Sequence, residues 1–213
     1  MATSTAKRFI WKSGKVLSLR LRNGQHTLLQ LLDGKWRFAA FNIFRDRDEW
    51  DDVYLSAESL LFTNIAVKQF FIESELTPQK GVAPASDVHH EEDRISAGDT
   101  PTKYRLWKDS PNEFDITLIG GGPNRLRKIV DYNELFTPIA NSEYEEYLHI
   151  EMKGVQNYPY LNERLMLCGE FGCNADPKKE LMFDRHLPLE YRPYFELLAH
   201  TDNYEKYGYN PLG

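Results

Sequence analysis

Several groups of side chains in this sequence have the type and spacing to do chemistry. Gly120-Gly121-Gly122 follow the apolar run Phe114 to Ile119 and precede Arg125, Arg127 and Lys128, the order in which a strand feeds a phosphate-cradling loop. A P-loop, however, needs G-x-x-x-x-G-K-[ST], and a dinucleotide site needs G-x-G-x-x-G at the start of a helix. Here the glycines run into Pro123-Asn124 and then into "RLRKIVDY", which has strand character, so they read as turn chemistry. His89, His90, Glu91, Glu92 and Asp93 are all metal-ligand types. Adjacent residues of an extended loop point in opposite directions, and no second cluster completes the set, so the run reads as a solvated surface. Glu146 and His149 share one face of an expected helix, as in carboxylate-bridged metal bundles, but the second such pair and the two facing glutamates are missing. No Ser sits in a G-x-S-x-G elbow, Cys168 has His186 only as a distant neighbour in sequence, and His26 has no defined acid partner.

The remaining group is "RDRDEWDDVY", in which Asp46, Asp48, Glu49, Asp51 and Asp52 crowd around Trp50 and Tyr54. A large aromatic inside a loop of carboxylates joins what interfaces favour at an anchor to a field that attracts a cationic partner. The competing reading tucks Trp50 into the core and leaves the acids merely solvated. On the first reading Asp46, Asp48, Glu49, Trp50, Asp51, Asp52 and Tyr54 form a partner-binding surface.

The elements that must position these residues are clearest near the start. Val16, Leu17, Leu19 and Leu21 alternate with polar residues up to Asn23-Gly24. A second apolar run, Thr27 to Leu32, ends at Asp33-Gly34, and a third reaches Phe44. Period-two alternation joined by Asn-Gly and Asp-Gly predicts a three-stranded antiparallel meander, because those pairs tolerate the positive φ of tight turns. Leu60 to Val67 favours a fourth strand, although periodicity does not separate so short an apolar run from a core helix. Between Thr77 and Thr102 a polar stretch rich in Pro and Gly reads as a boundary. "KYRLW" and "FDITLIG" add strands, "SEYEEYLHIEMKGV" predicts a helix from Ser142 to Gly154, and "LPLEYRPYFELLAH" predicts another near Pro188. The expected class is α+β: a strongly bent, small barrel-like antiparallel sheet followed by mixed strands and helices. Its expected divisions are a β-rich module at 1–84, a linker or long loop at 85–102, and an α+β part at 103–213 packed on the first.

Bulk properties narrow the function classes. Of 213 residues, 41% are hydrophobic and 27% charged, which is the profile of an ordinary globular protein. No apolar run is long enough for a membrane helix, and the two cysteines, Cys168 and Cys173, read as reduced thiols in a cytoplasmic protein. The net charge of −6 is segregated: residues 1–47 carry +8, residues 48–99 carry −9 and residues 100–213 carry −5. An acidic surface of this kind points to a basic partner. Arg20 and Arg22 share a strand face with Ser18 but lack the interleaved aromatics of a single-strand binding platform, so no direct nucleic-acid contact is expected.

"VLSLRLRNGQHTLLQLL", "FAAFNIF" and "SLLFTNIAV", in that order, resemble the immunity-protein family numbered 26 of bacterial polymorphic toxin systems, over about Lys12 to Pro84. The chain departs from the family in having Gly14-Lys15 where Gly-Asp is usual, and "SELTPQKG" where a Trp-Pro segment closes the first module. The resemblance implies a cytosolic antitoxin that neutralises a cognate secreted toxin domain by binding it, with no catalysis and no cofactor of its own. Some relatives carry a phosphotriesterase label, so the alternative it implies is a metal-dependent hydrolase.

Overall fold

The computed structural model describes residues 9–121, 125–130, 133–200 and 203–210. β1 (Val16–Arg20), β2 (His26–Leu31) and β3 (Arg37–Arg45) form the expected meander, with Val16 opposite Gln30 and Leu31 opposite Phe38. Gly24 at φ +87° and Gly34 at φ +88° occupy the left-handed region that both turns demand. β4 (Leu60–Ile65) pairs with β3, α1 (Lys68–Glu73) follows, and β5 (Leu76–Pro78) returns to β1. The order is therefore β4-β3-β2-β1-β5. Register shifts between Thr27 and Leu29 and between Ala40 and Phe41 are bulges, which bend a strand and increase its twist. The sheet nevertheless stays open, because β4 and β5 do not pair, so it is not a barrel.

The second half carries β6 (Arg94–Ser96), β7 (Pro101–Leu106), β8 (Phe114–Ile119), β9 (Arg127–Val130), β10 (Asn133–Pro138) and β11 (Glu151–Met152). β7 and β8 form a hairpin of their own, and the others make a mixed sheet in the order β10-β9-β6-β11. Among the described residues the helices α2 (Tyr160–Phe171), α3 (Pro177–Met182), α4 (Arg192–Ala199) and α5 (Asn203–Lys206) follow. The fold is α+β. One sequence expectation fails here, and one helix goes unforeseen. Residues Asn141–Tyr147 form a 3-10 turn capped by Ala140, not an α-helix capped by Ser142, because the chain must be extended at Glu151 and Met152 to pair with β6. α2, the most buried helix, was not anticipated, although Leu161, Leu165 and Cys168 have helical spacing and Gly172 at φ +67° supplies its stop.

Both faces of the first sheet are covered. Leu17, Leu19, Leu29, Leu31 and Phe38 face Phe70, Leu161, Leu165 and Phe195 in one core cluster that draws on both halves of the chain. Val16, Leu28, Ala39 and Phe41, on the opposite face, pack under Trp50, Leu55, Val82, Ala85 and Val88. The polar segment after β5 thus serves as a cover. Gln30 grips it from within the sheet, donating from Nε2 to the Ala85 carbonyl at 2.9 Å and accepting the Ala85 N–H at 2.7 Å. An isolated bridge between Ala66 and Gln156 adds a further tie between the halves.

Candidate functional site

Residues 46–54 leave the end of β3 as a loop held from below. Trp50 is only 4% exposed and packs in the second-face cluster. Its indole Nε1 donates to Asp48 Oδ1 at 2.5 Å, and the same oxygen accepts from Gln79 Nε2 at 2.9 Å. Arg45 closes the loop by donating to the Glu49 carbonyl at 2.8 Å and pairing with Asp52 at 2.8 Å, its guanidinium 5.5 Å from the centre of the Trp50 ring. The hydrogen bond from Arg45 holds the Asp52 carboxyl below the usual range.

These contacts correct the anchor. The open face of β1–β3 needs an apolar lid, and Trp50 supplies it, so its ring cannot meet a partner while the loop is intact. Tyr54, by contrast, is 80% exposed, and Asp46, Asp48, Glu49, Asp51 and Asp52 all lie on the surface. The side chains of Asp46, Glu49 and Asp51 have no hydrogen-bond or ion-pair partner among the described residues. Asp87, which accepts the Ala57 N–H at 3.1 Å, brings a further exposed carboxylate beside the loop. The arrangement displays exposed carboxylates on a loop pinned by buried Trp50, with the exposed Tyr54 phenol at its end.

The other sequence candidates are dispersed into structural roles. Gly120 and Gly121 turn the chain at φ +96° and +87°; Gly122, Pro123 and Asn124 lie outside the described residues. In the "HHEED" run, Glu92 pairs with Arg37 at 3.0 Å, Asp93 with Lys128 at 2.7 Å, and the Glu91 N–H donates to Thr63 Oγ1 at 2.8 Å. His90 receives Arg94 Nη2 on its Nε2 at 2.8 Å, and burial followed by the charges of Arg94 and Arg37 lowers it to about 4. Glu146 and His149 are exposed and share no helix. Cys168 is buried, which pushes its thiol up to about 12 and makes it a poor nucleophile. Among the described residues no group of three or more His, Cys, Asp or Glu is placed to hold a metal ion. Arg22 does not present itself to solvent as a free polar-face cation. It pairs with buried Glu163 at 2.7 Å, while Ser18 on the same face is 1% exposed.

Sequence reasoning missed a buried charge network elsewhere in the molecule. Arg164 donates to both oxygens of Glu151, at 2.6 and 2.9 Å, to Asn174 Oδ1 at 2.7 Å and to the Ala175 carbonyl at 3.1 Å. Its guanidinium stacks 3.9 Å from the Phe62 ring centre and lies 3.4 Å from Asp176. Lys179 Nζ donates to the carbonyls of Tyr147, Leu148 and Ile150 at 2.6, 3.0 and 2.8 Å. Burial opposes the charge on Glu151, yet Arg164 outweighs it and the carboxyl sits below its usual range. The network locks β4, β11, α2 and α3 together. Only "NER" within a helical apolar pattern could have hinted at it.

Residues 6–94 match the model of a domain of unknown function (DUF8309), a span that takes in the whole first sheet, its cover and the acidic loop but less than half of the 213-residue chain. No curated protein and no solved structure matches the chain. Among the described residues no helix is long and apolar enough to cross a membrane.

Proposed function

We propose that this chain is an immunity protein: a cytoplasmic antitoxin that neutralises a cognate, basic toxin domain, such as a nuclease, by stoichiometric occlusion. The observation that carries this reading is the loop at 46–54, whose carboxylates are exposed while its backbone is fixed by buried Trp50. A loop ordered before encounter loses little further freedom on binding, which raises affinity for a given contact. Clustered negative charge speeds association with a basic surface, and Tyr54, rather than Trp50, supplies the aromatic group whose desolvation slows release. The resemblance to immunity family 26 over Lys12 to Pro84 supports the same reading.

The test uses the product of the gene immediately upstream as the partner. Co-purification and protection of cells expressing that product are measured for the wild type, for Tyr54→Ala, and for Asp51→Lys with Asp52→Lys. The double change should slow association about tenfold at low salt, with the gap narrowing as salt rises. Tyr54→Ala should weaken binding by about thirtyfold, the scale of an interface hot spot, mainly through faster dissociation. Full protection by both variants, or turnover of a substrate by the purified chain alone, would overturn the proposal.

A further inference from the structure

A cleft of about 770 Å³ lies between the 3-10 turn at Asn141–Tyr147, the end of α2 and the α3–α4 connection, a volume within the range of ligand pockets. Tyr144, Phe171 and Tyr191 line it, with Leu148, and the ring of Phe171 meets that of Tyr191 edge-on at 5.6 Å. Phe171 and Leu148 are 39% and 42% exposed, which leaves an unpaired apolar rim. Glu180 also lines the cleft and accepts the Tyr191 hydroxyl at 2.6 Å. Burial, reinforced by Asp176 and opposed by the Tyr191 hydrogen bond and the charge of Arg185, pushes Glu180 above the usual carboxylate range. The protein's own Arg185 shows what the cleft attracts. Its guanidinium rests 4.8 Å from the Tyr144 ring centre and 3.4 Å from Glu145, on a side chain that is 48% exposed and so is easily displaced.

We infer that this cleft receives an arginine side chain of the basic partner, its guanidinium stacked on Tyr144, where Arg185 now stands in, and paired with Glu180, which lines the same cleft. A guanidinium fits better than an ammonium because it is planar, weakly hydrated and able to stack and hydrogen-bond at once. A hydrogen bond from β3 places the rim of the cleft near the acidic loop. Asn42 on β3 donates to the Gly172 carbonyl at 2.9 Å, beside Phe171, and four residues later, about 13 Å along an extended chain, Asp46 begins the loop. One interface of about 800 Å² per partner covers such a distance. That the arginine belongs to a toxin rests on the function proposed above; the cleft's preference for guanidinium does not.

The probe is N-acetyl-arginine amide, titrated into the full chain and followed by NMR of the tyrosine and phenylalanine rings, with the neutral isostere N-acetyl-citrulline amide alongside. The arginine compound should shift the rings of Tyr144, Phe171 and Tyr191, and the citrulline compound should bind at least about fivefold more weakly. Glu180→Gln, which keeps the hydrogen bond with Tyr191, should weaken the arginine compound about fivefold, and Arg185→Ala should tighten it by removing the internal competitor. Equal binding of the two compounds, no shift at the cleft rings, or an unchanged affinity in either variant would overturn the inference. The Asp51→Lys, Asp52→Lys chain should bind the probe as the wild type does, so a failed loop and a failed cleft give different results.

Discussion

Replacing Arg164 by Met tests what holds the second half of the molecule together. The substitution keeps the volume and the apolar contact with Phe62 but deletes both bonds to Glu151 and those to Asn174 and the Ala175 carbonyl. Glu151 is 1% exposed, so its carboxylate is left in the core with two amides from Asn64 and Asn174 and no adjacent guanidinium. Lys179 cannot take over, since its ammonium is already spent on three carbonyls. Breaking a buried pair from one side costs about 3–5 kcal/mol. For a chain of this size that lowers the melting temperature by about 10 °C, measured by thermal or urea unfolding. The cost must also depend on pH. In the wild type the folded Glu151 titrates below its ordinary value of 4.5, so the pair's contribution is present above that pH and is lost as pH falls through the lowered value. In Arg164→Met, burial, the largest influence on Glu151, is opposed only by the charge of Lys179 and the amides that remain, so the carboxyl rises from its wild-type value and the penalty is greatest near neutrality and is relieved on acidification. The gap between the two proteins therefore narrows as pH drops from 7 to 4.5. Adding Glu151→Gln to Arg164→Met removes the stranded charge and should restore about 2 kcal/mol. A loss under about 1 kcal/mol at pH 7, or a gap that does not change with pH, would refute this account.

Three further outcomes are expected. Trp50→Ala should cost about 3–5 kcal/mol in urea unfolding, because it opens a cavity under the sheet; an unchanged midpoint would mean that the ring is not a core residue. Gly121→Ala should destabilise more than Gly24→Ala, although both sit at φ +87°, because a Cβ at 121 overlaps the Tyr104 hydroxyl while 24 has open space; equal midpoints for the two variants would contradict this. His90 titrates at about 4 folded against 6.5 unfolded, so the unfolded chain binds its proton first and stability falls as pH drops from 6.5 to 4. His90→Gln, which keeps an acceptor for Arg94, should flatten that part of the stability profile, and an identical slope would exclude His90 as its source.

The acidic loop shows how far local reading reaches. Its residues and their charge were legible, since five carboxylates crowd around Trp50 between positions 46 and 52. Which aromatic faces outward was not, because Trp50 and Tyr54 differ only in what lies beneath them, and that is set by the sheet. The "HHEED" run shows the same limit from the other side. Its ligand-like composition was plain, but Arg37, Lys128 and Thr63, which absorb three of its groups, are remote in sequence. The helix expected at 142–154 failed because the pairing of Glu151 with Arg164 and of β11 with β6 outweighs a modest local preference.

By itself the sequence determined the meander β1–β3: alternating side chains set the two faces, and Asn23-Gly24 and Asp33-Gly34 fix the turns, all within neighbouring residues. It also determined the charge asymmetry, which is a sum and needs no fold. Only the tertiary structure decided that the sheet's second face would be roofed by Trp50 and the segment around Ala85, that Arg164 and Glu151 would be buried as a pair, and that Tyr144, Glu180 and Tyr191 would share a cleft. Each of those outcomes is a choice among many distant partners, made by whichever arrangement leaves the least apolar surface in water and the fewest buried polar groups unpaired.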